Sequence, residues 1–392
     1  MSDSKFPHNK ISRIVQDIPR SGIRDFFDIV NHRKDVISLG IGEPDFVTPW
    51  RIRDAAYRSL DYGKTSYTSN MGSLSLRNEV SKYINSRSKI TYCPKEEVLV
   101  TVGVSEGLDL AIRTFVEPGD EVIYHEPSYV SYNPIIRFAH GIPVVIKTKK
   151  ENNFKITREE LDSVKTKKTK LLLLNYPNNP TGTTLSKSDI EMIADFAITN
   201  DIIVVTDEIY SDLTYDNDHF SIISVSGMRE RTIYLHGLSK AWAMTGWRIG
   251  FAAGPKLFIE SMMKIHQYTM LCAPIMCQEA AREALQNGDN ELNMMKNEYL
   301  LRRNFIKSSL KKLNIPFIEP KGAFYIFIDI SEFGLSSKDF ALNFLEQKNV
   351  AVVPGTAFGN AGEGFIRCSF ATSLDEIKKA MNKFEEYITS LK

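Results

Sequence analysis

The chain has 392 residues, 43% hydrophobic and 25% charged, and 49 basic side chains against 48 acidic ones leave a formal charge of +1. That length allows two or three domains around a sizeable core, and the even charge gives no support to a nucleic-acid binder, which needs a concentrated basic face. The opening MSDSKFPHNKISRIVQ has no apolar signal core and no run approaches membrane-spanning length, so a cytoplasmic enzyme with no membrane partner is the expectation.

Residues 1–45 are polar and punctuated by Pro19, Gly22, Gly40, Gly42 and Pro44. They read as a short helix, an arm and a strand that belongs with a smaller domain. From 46 to 285, apolar runs alternate with helical patterns. EVLVTV, DEVIYH, IPVVIK, KLLLLN, DIIVVTD, RTIYLH and RIGFAAG are strand candidates, and the density of LLLL and IIVV suits strands covered on both faces. SEGLDLAIRTFV and SKSDIEMIADFAITN place apolar residues at helical spacing. Lys165, Lys167, Lys168 and Lys170 crowd just before LLLLN and read as a solvated turn, with anion binding as the alternative. The pattern is α/β, a large domain with a mostly parallel sheet between helices. From 286 to 392 a long amphipathic helix, ELNMMKNEYLLRRNFIKSSLKKL, is closed by Asn314 and Pro316. GAFYIFIDI, SSKDFALNFLEQ, VAVVP, GFIRCSF and SLDEIKKAMNKFEEYITSLK follow, the alternation of a smaller α+β domain. Cys93, Cys272, Cys277 and Cys368 show no paired metal-ligand spacing, and no metal site is expected.

The chemistry concentrates in two stretches, DIIVVTDEIY and HGLSKAWAMTGWRIG. Asp207 ends a buried strand, where open α/β sheets place ligands, although a strand-end aspartate also caps helices. Paired with a pyridine nitrogen it would keep that nitrogen protonated and deepen the ring's capacity to accept electrons. Tyr210 follows three residues later. Lys240 is surrounded by Trp242, Ala243, Met244, Gly246 and Trp247, which make little sense around a wholly solvated lysine. A lowered pKa would make it the nucleophile of a Schiff base, and the freed amine could then move a proton at the substrate α-carbon. TVGVSEGLDL reads as strand, turn and helix, so the amides of Val104, Ser105 and Glu106 would face an anion at a helix N-terminus. Arg248 offers a fixed fork for phosphate oxygens, or a structural ion pair. In YPNNPTG, Pro177, Pro180 and Gly182 dictate a tight turn that could aim Asn179 at a ring hydroxyl, or form a plain loop. Tyr129, in EPSYVSY, could stack on a flat cofactor or pack in the core. Together these groups suit pyridoxal phosphate.

On these motifs the chain resembles the fold-type I, class I/II aminotransferases that use pyridoxal phosphate, from ISLGIGEPDFVTP to VAVVPGTAFGNAGEGFIRCSF. SKAWAMTGWRIG, preceded in order by NNPTG and TDEIY, carries the resemblance, and the chain looks like the branch of prokaryotic aspartate and aromatic aminotransferases. The resemblance implies a seven-stranded large-domain sheet and a homodimer with a shared active site. It assigns Lys240 the covalent link to the cofactor and Asp207 the ring nitrogen. Asn179 and Tyr210 would bond the phenolic oxygen, and Tyr129 would stack on the ring. Val104, Ser105 and Arg248 would clamp the phosphate, with Tyr67 reaching across to the neighbouring subunit's phosphate. Arg367 would grip the substrate α-carboxylate in a bidentate fork, assisted by the backbone at Gly42. Gly237 stands where many relatives have a phosphate-binding serine, so Ser239 is the substitute. No arginine can be assigned to a substrate side chain; Arg20 and Arg24 read more readily as surface residues.

The implied reaction is ping-pong: an L-amino acid, aspartate or aromatic favoured, gives its amino group to the cofactor, which passes it to 2-oxoglutarate. Alanine or a diamino acid such as N-acetyl-diaminopimelate are alternative donors, and a carbon–sulfur lyase is an alternative outcome on the same fold. A noncatalytic regulatory protein is disfavoured, because Lys240, Asp207 and Arg367 are all present.

Overall fold

A computed structural model describes residues 10–20, 22 and 35–391. The strands in chain order are β1 (Ile37–Ser38), β2 (Val98–Thr101), β3 (Glu121–Glu126), β4 (Ile142–Lys147), β5 (Thr169–Asn175), β6 (Ile203–Asp207), β7 (Thr232–Gly237), β8 (Gly250–Ala253), β9 (Phe317–Ile318), β10 (Tyr325–Asp329), β11 (Val350–Ala351), β12 (Val353–Pro354) and β13 (Phe365–Ser369).

A seven-stranded sheet runs in the order β2-β8-β7-β6-β5-β3-β4. All neighbours are parallel except β8, which lies antiparallel between β2 and β7. The LLLL run shows why both faces are apolar. Leu171 and Leu173 point into a core shared with the helices Gly103–Phe115 and Lys256–Thr269, whereas Leu172 and Leu174 point into one shared with the helix Lys187–Thr199. Period-two alternation thus buries every residue of the run. The helix on the second face starts at a reciprocal cap: the Asp189 amide donates to Ser186 Oγ (3.2 Å) and the Ser186 amide to Asp189 Oδ2 (2.7 Å). Lys165, Lys167 and Lys168 are exposed in a turn before β5, whereas Lys170 lies within β5 and pairs with Asp120 at 2.8 Å.

A second core is built from Tyr299, Phe324, Phe340, Phe344, Phe384 and Tyr387 against a four-stranded antiparallel sheet, β12-β13-β10-β9. VAVVP, one strand in the sequence reading, is divided. Val350–Ala351 pairs in parallel with β1, and Val353–Pro354 changes sheet to pair with β13. The long helix Asp289–Lys312 contributes Leu292 to a core of the large sheet and Met295 and Tyr299 to this second one. Asn314 ends it in the left-handed region (φ 56°), a conformation that asparagine tolerates. Ile209, Tyr210 and Leu213, just past β6, also enter the second core, so the two bodies meet at the carboxyl end of the large sheet.

Candidate active site

Asn175, Asp207 and Gly237 end the adjacent strands β5, β6 and β7. Above them opens a cavity of about 310 Å³, lined by Gly42, Val104, Ser105, Tyr129, Asn179, Asp207, Tyr210, Ser239, Lys240, Arg248 and Arg367 among others. Residues more than 320 positions apart in the chain are therefore gathered at the sheet's carboxyl edge, the place this topology reserves for ligands.

Asp207 is 4% exposed. Its carboxylate accepts the Tyr132 hydroxyl at 2.8 Å and the Ile209 amide at 3.2 Å. Burial nevertheless dominates and raises its pKa from 3.8 to about 6, with those two hydrogen bonds opposing. A buried carboxyl in this state is suited to a cationic partner. Lys240 donates to the Gly42 carbonyl at 2.6 Å. Burial lowers its amine to about 8, against the opposing pull of Glu43 and with help from Arg367 and Arg248. An amine near that value is a nucleophile at moderate pH.

Arg367 is gripped on several sides. Its guanidinium donates to Asn179 Oδ1 (2.9 Å) and to the Gly40 carbonyl (2.5 Å), and lies between the rings of Tyr325 (4.3 Å) and Phe358 (4.7 Å). Its Nε is buried with no protein acceptor, a donor left for something else. Tyr325 is in turn fixed by the Tyr210 hydroxyl at 2.9 Å. On the opposite side, Gly103 (φ +75°) opens the helix Gly103–Phe115, and a Cβ there would lie 2.7 Å from Arg248 Nη2. Glycine suits that φ and leaves the guanidinium room over the helix start, where free amides favour an anion.

The match to the model of "Aminotransferase class I and II" runs from residue 34 to 384. The chain belongs to that family. This aminotransferase is 43% identical to the aspartate aminotransferase of Pyrococcus abyssi, over 95% of its own length and 96% of the relative's. Identity to aromatic-amino-acid aminotransferase 2 of Thermococcus litoralis is 41%, over 97% and 99%. The aspartate aminotransferase of Thermus thermophilus solved with maleate superimposes with a TM-score of 0.92 at 36% identity, covering 96% of this chain and 99% of that one. The protein is a fold-type I enzyme of the branch that holds prokaryotic aspartate and aromatic aminotransferases.

Most residues assigned to the site from sequence line this one cavity; Glu106 and Tyr67 do not. The Glu106 carboxylate turns away, accepting the Val102 amide (2.5 Å) and bonding His266 Nδ1 (2.6 Å), so only its backbone belongs to the helix start. Tyr67 is 82% exposed and absent from the cavity of its own chain. Arg20 is exposed, and Arg24 lies outside the described residues. Gly237 has a packing reason: an added Cβ would press on Val104 Cγ2 at 3.0 Å and the Ile249 carbonyl at 3.1 Å, which leaves little room for a serine. The sequence reading missed Tyr132, Asn175 and Tyr325. Asn175 donates to the Asp207 carbonyl (3.0 Å) and accepts the Asn179 amide (3.2 Å), tying the two strand ends together. Tyr132 follows Tyr129 by three residues, one helical turn, which was the available signal.

Proposed function

We propose that this aminotransferase moves the amino group of an L-amino acid, aspartate or aromatic, to 2-oxoglutarate in two ping-pong half-reactions on pyridoxal phosphate. The observation that carries the reading is Lys240. Its amine is lowered to about 8 and shares one cavity with Asp207, with Arg248 at a helix start, and with Arg367, whose Nε lacks an acceptor. The donor set fits the cofactor: a nitrogen partner in Asp207, ring-oxygen partners in Asn179 and Tyr210, and a ring face in Tyr129. Val104, Ser105, Ser239 and Arg248 supply the anion site. Pyridoxal phosphate supplies the electron sink that makes the substrate α-proton removable.

The chain's own residues do the rest. Lys240 would hold the cofactor through its amine; once a substrate amino group displaces it, the freed amine would carry a proton to and from the substrate α-carbon. Arg367 would take the α-carboxylate and so orient the substrate α C–H bond, while Tyr129 and Asp207 would hold the cofactor ring. Tyr210 and Asn179 hold the ring oxygen. Tyr62, Tyr67, Tyr268 and Met270 are exposed, and Gln278 ties the segment after Tyr67 to its own helix by bonding Thr68, Ser73 and Ala273. A second copy of the chain covering these residues would bring Tyr67 to the neighbour's phosphate site. The relatives' names favour aspartate or aromatic donors, and a cytoplasmic location accords with the absence, among described residues, of a helix able to cross a membrane.

Borohydride treatment of the loaded protein, followed by peptide mapping, should fix a pyridoxyl group on Lys240. One equivalent of 2-oxo acid should be released per site when an amino acid is added without acceptor. Labelling elsewhere, or release of ammonia with the oxo acid, would overturn the proposal.

A further inference from the structure

Arg367 depends on two rings, and they are held in place differently. Tyr325 stands on β10 and is pinned by Tyr210. Phe358 stands on a short turn, Gly355–Phe358, that leads into Gly359. Gly359 has φ 113° and ψ 162°, a conformation open essentially to glycine alone. The reason for that glycine lies across the junction between the two bodies: an added Cβ would collide with the Glu126 carboxylate. Glu126 ends β3 of the large sheet. One of its oxygens accepts the Asn360 amide (3.1 Å), and the other accepts the Tyr124 hydroxyl (2.9 Å), itself bonded by Asn133 (3.0 Å). The Ser128 amide meets the Phe358 carbonyl at 3.0 Å. Phe358 is thus bracketed by two attachments to the end of β3 and the segment that follows it, one of which is a carboxylate.

We infer that Glu126 is a positioning residue for Arg367. It receives Asn360 through the gap left by Gly359 and so fixes the Phe358 ring against the guanidinium. Glu126 touches neither the cavity nor its contents; it acts through the turn. The inference rests on Arg367 as the carboxylate site proposed above, and the experiment separates the two.

Pyridoxal-phosphate-loaded protein is titrated calorimetrically with maleate and with 3-phenylpropanoate, carboxylates that carry no amino group. Arg367→Lys tests the site: unchanged binding there would remove the carboxylate reading itself. With that control passed, Glu126→Ala should weaken binding about tenfold and raise the amino-acid KM by a similar factor, with kcat within about twofold. The pyridoxal phosphate Kd should be unchanged. Glu126→Gln keeps an oxygen for the Asn360 amide and should restore near-native binding. Gly359→Ala should weaken binding more in the native background than in Glu126→Ala, since backbone strain at 359 is common to both and only the collision differs. Native carboxylate affinity in Glu126→Ala, an equal loss of cofactor affinity, or fully additive losses in the pair would each overturn the inference.

Discussion

Replacing Asp207 by asparagine should stabilise the cofactor-free protein while disabling the enzyme. The folded state raises this carboxyl from 3.8 to about 6, chiefly by burial. At 1.36 kcal/mol per pH unit, the ionised side chain costs the fold about 3 kcal/mol above pH 6. The sign follows from proton binding. The folded state holds this proton more tightly, so the carboxyl's stabilising contribution is complete below about pH 3.8 and is lost as pH rises through about 6. Asparagine, always neutral and able to exchange hydrogen bonds with Tyr132 or Ile209, escapes the cost. For 392 residues at about 2.1 cal/mol/K each, the unfolding entropy is about 0.8 kcal/mol/K, so the variant's Tm should rise by up to about 4 °C at pH 8. At pH 5, where the folded carboxyl is mostly protonated, the gap should fall to about half. Scanning calorimetry of both apoproteins at the two pH values decides it. An asparagine variant less stable at pH 8, or a gap that ignores pH, would refute the account of Asp207 as an anion awaiting a cation. With pyridoxal phosphate bound the order should reverse.

The lowered Lys240 amine predicts that covalent uptake of pyridoxal phosphate by the apoprotein accelerates with a midpoint near pH 8, read by stopped-flow absorbance; a midpoint near 10.5 would mean the amine is solvated. Arg367→Lys should raise the KM for amino acids about 100-fold, because an ammonium cannot reproduce the bidentate fork, and should leave cofactor affinity unchanged in equilibrium dialysis. Gly103→Ala combines a left-handed φ with a collision against Arg248, and should weaken pyridoxal phosphate about tenfold in the same dialysis. Native affinity there would show that the helix start does not bear on the phosphate.

All seven runs read as large-sheet strands are strands; in six of them burial on both faces leaves an apolar block that nothing on the surface imitates, whereas the edge strand β4 is only partly buried. Asp207 and Lys240 could be singled out for a related reason: charged groups inside apolar text need a partner. The antiparallel insertion of β8 between β2 and β7 was not legible, since RIGFAAG reads alike in either direction. Tyr325 could not be placed either. It arrives on β10, 115 positions after the Tyr210 it contacts, and nothing local distinguishes it from the other aromatics of GAFYIFIDI. Glu106 was legible in its backbone and not in its side chain. The local pattern placed it at a helix start, but the side chain's direction is set by His266, far along the sequence.

The pairing of Ile37 with Val350 makes the beginning of the smaller body wait for the rest of it. A ribosome working at about 5 to 20 residues per second needs about 15 to 60 s to travel from one to the other. For that interval the nascent segment around Ile37 has an unclaimed edge while the large sheet can already assemble behind it. Early chaperone capture of this segment, and sensitivity of yield to changes at Ile37 and Ser38, follow from where its partner is encoded.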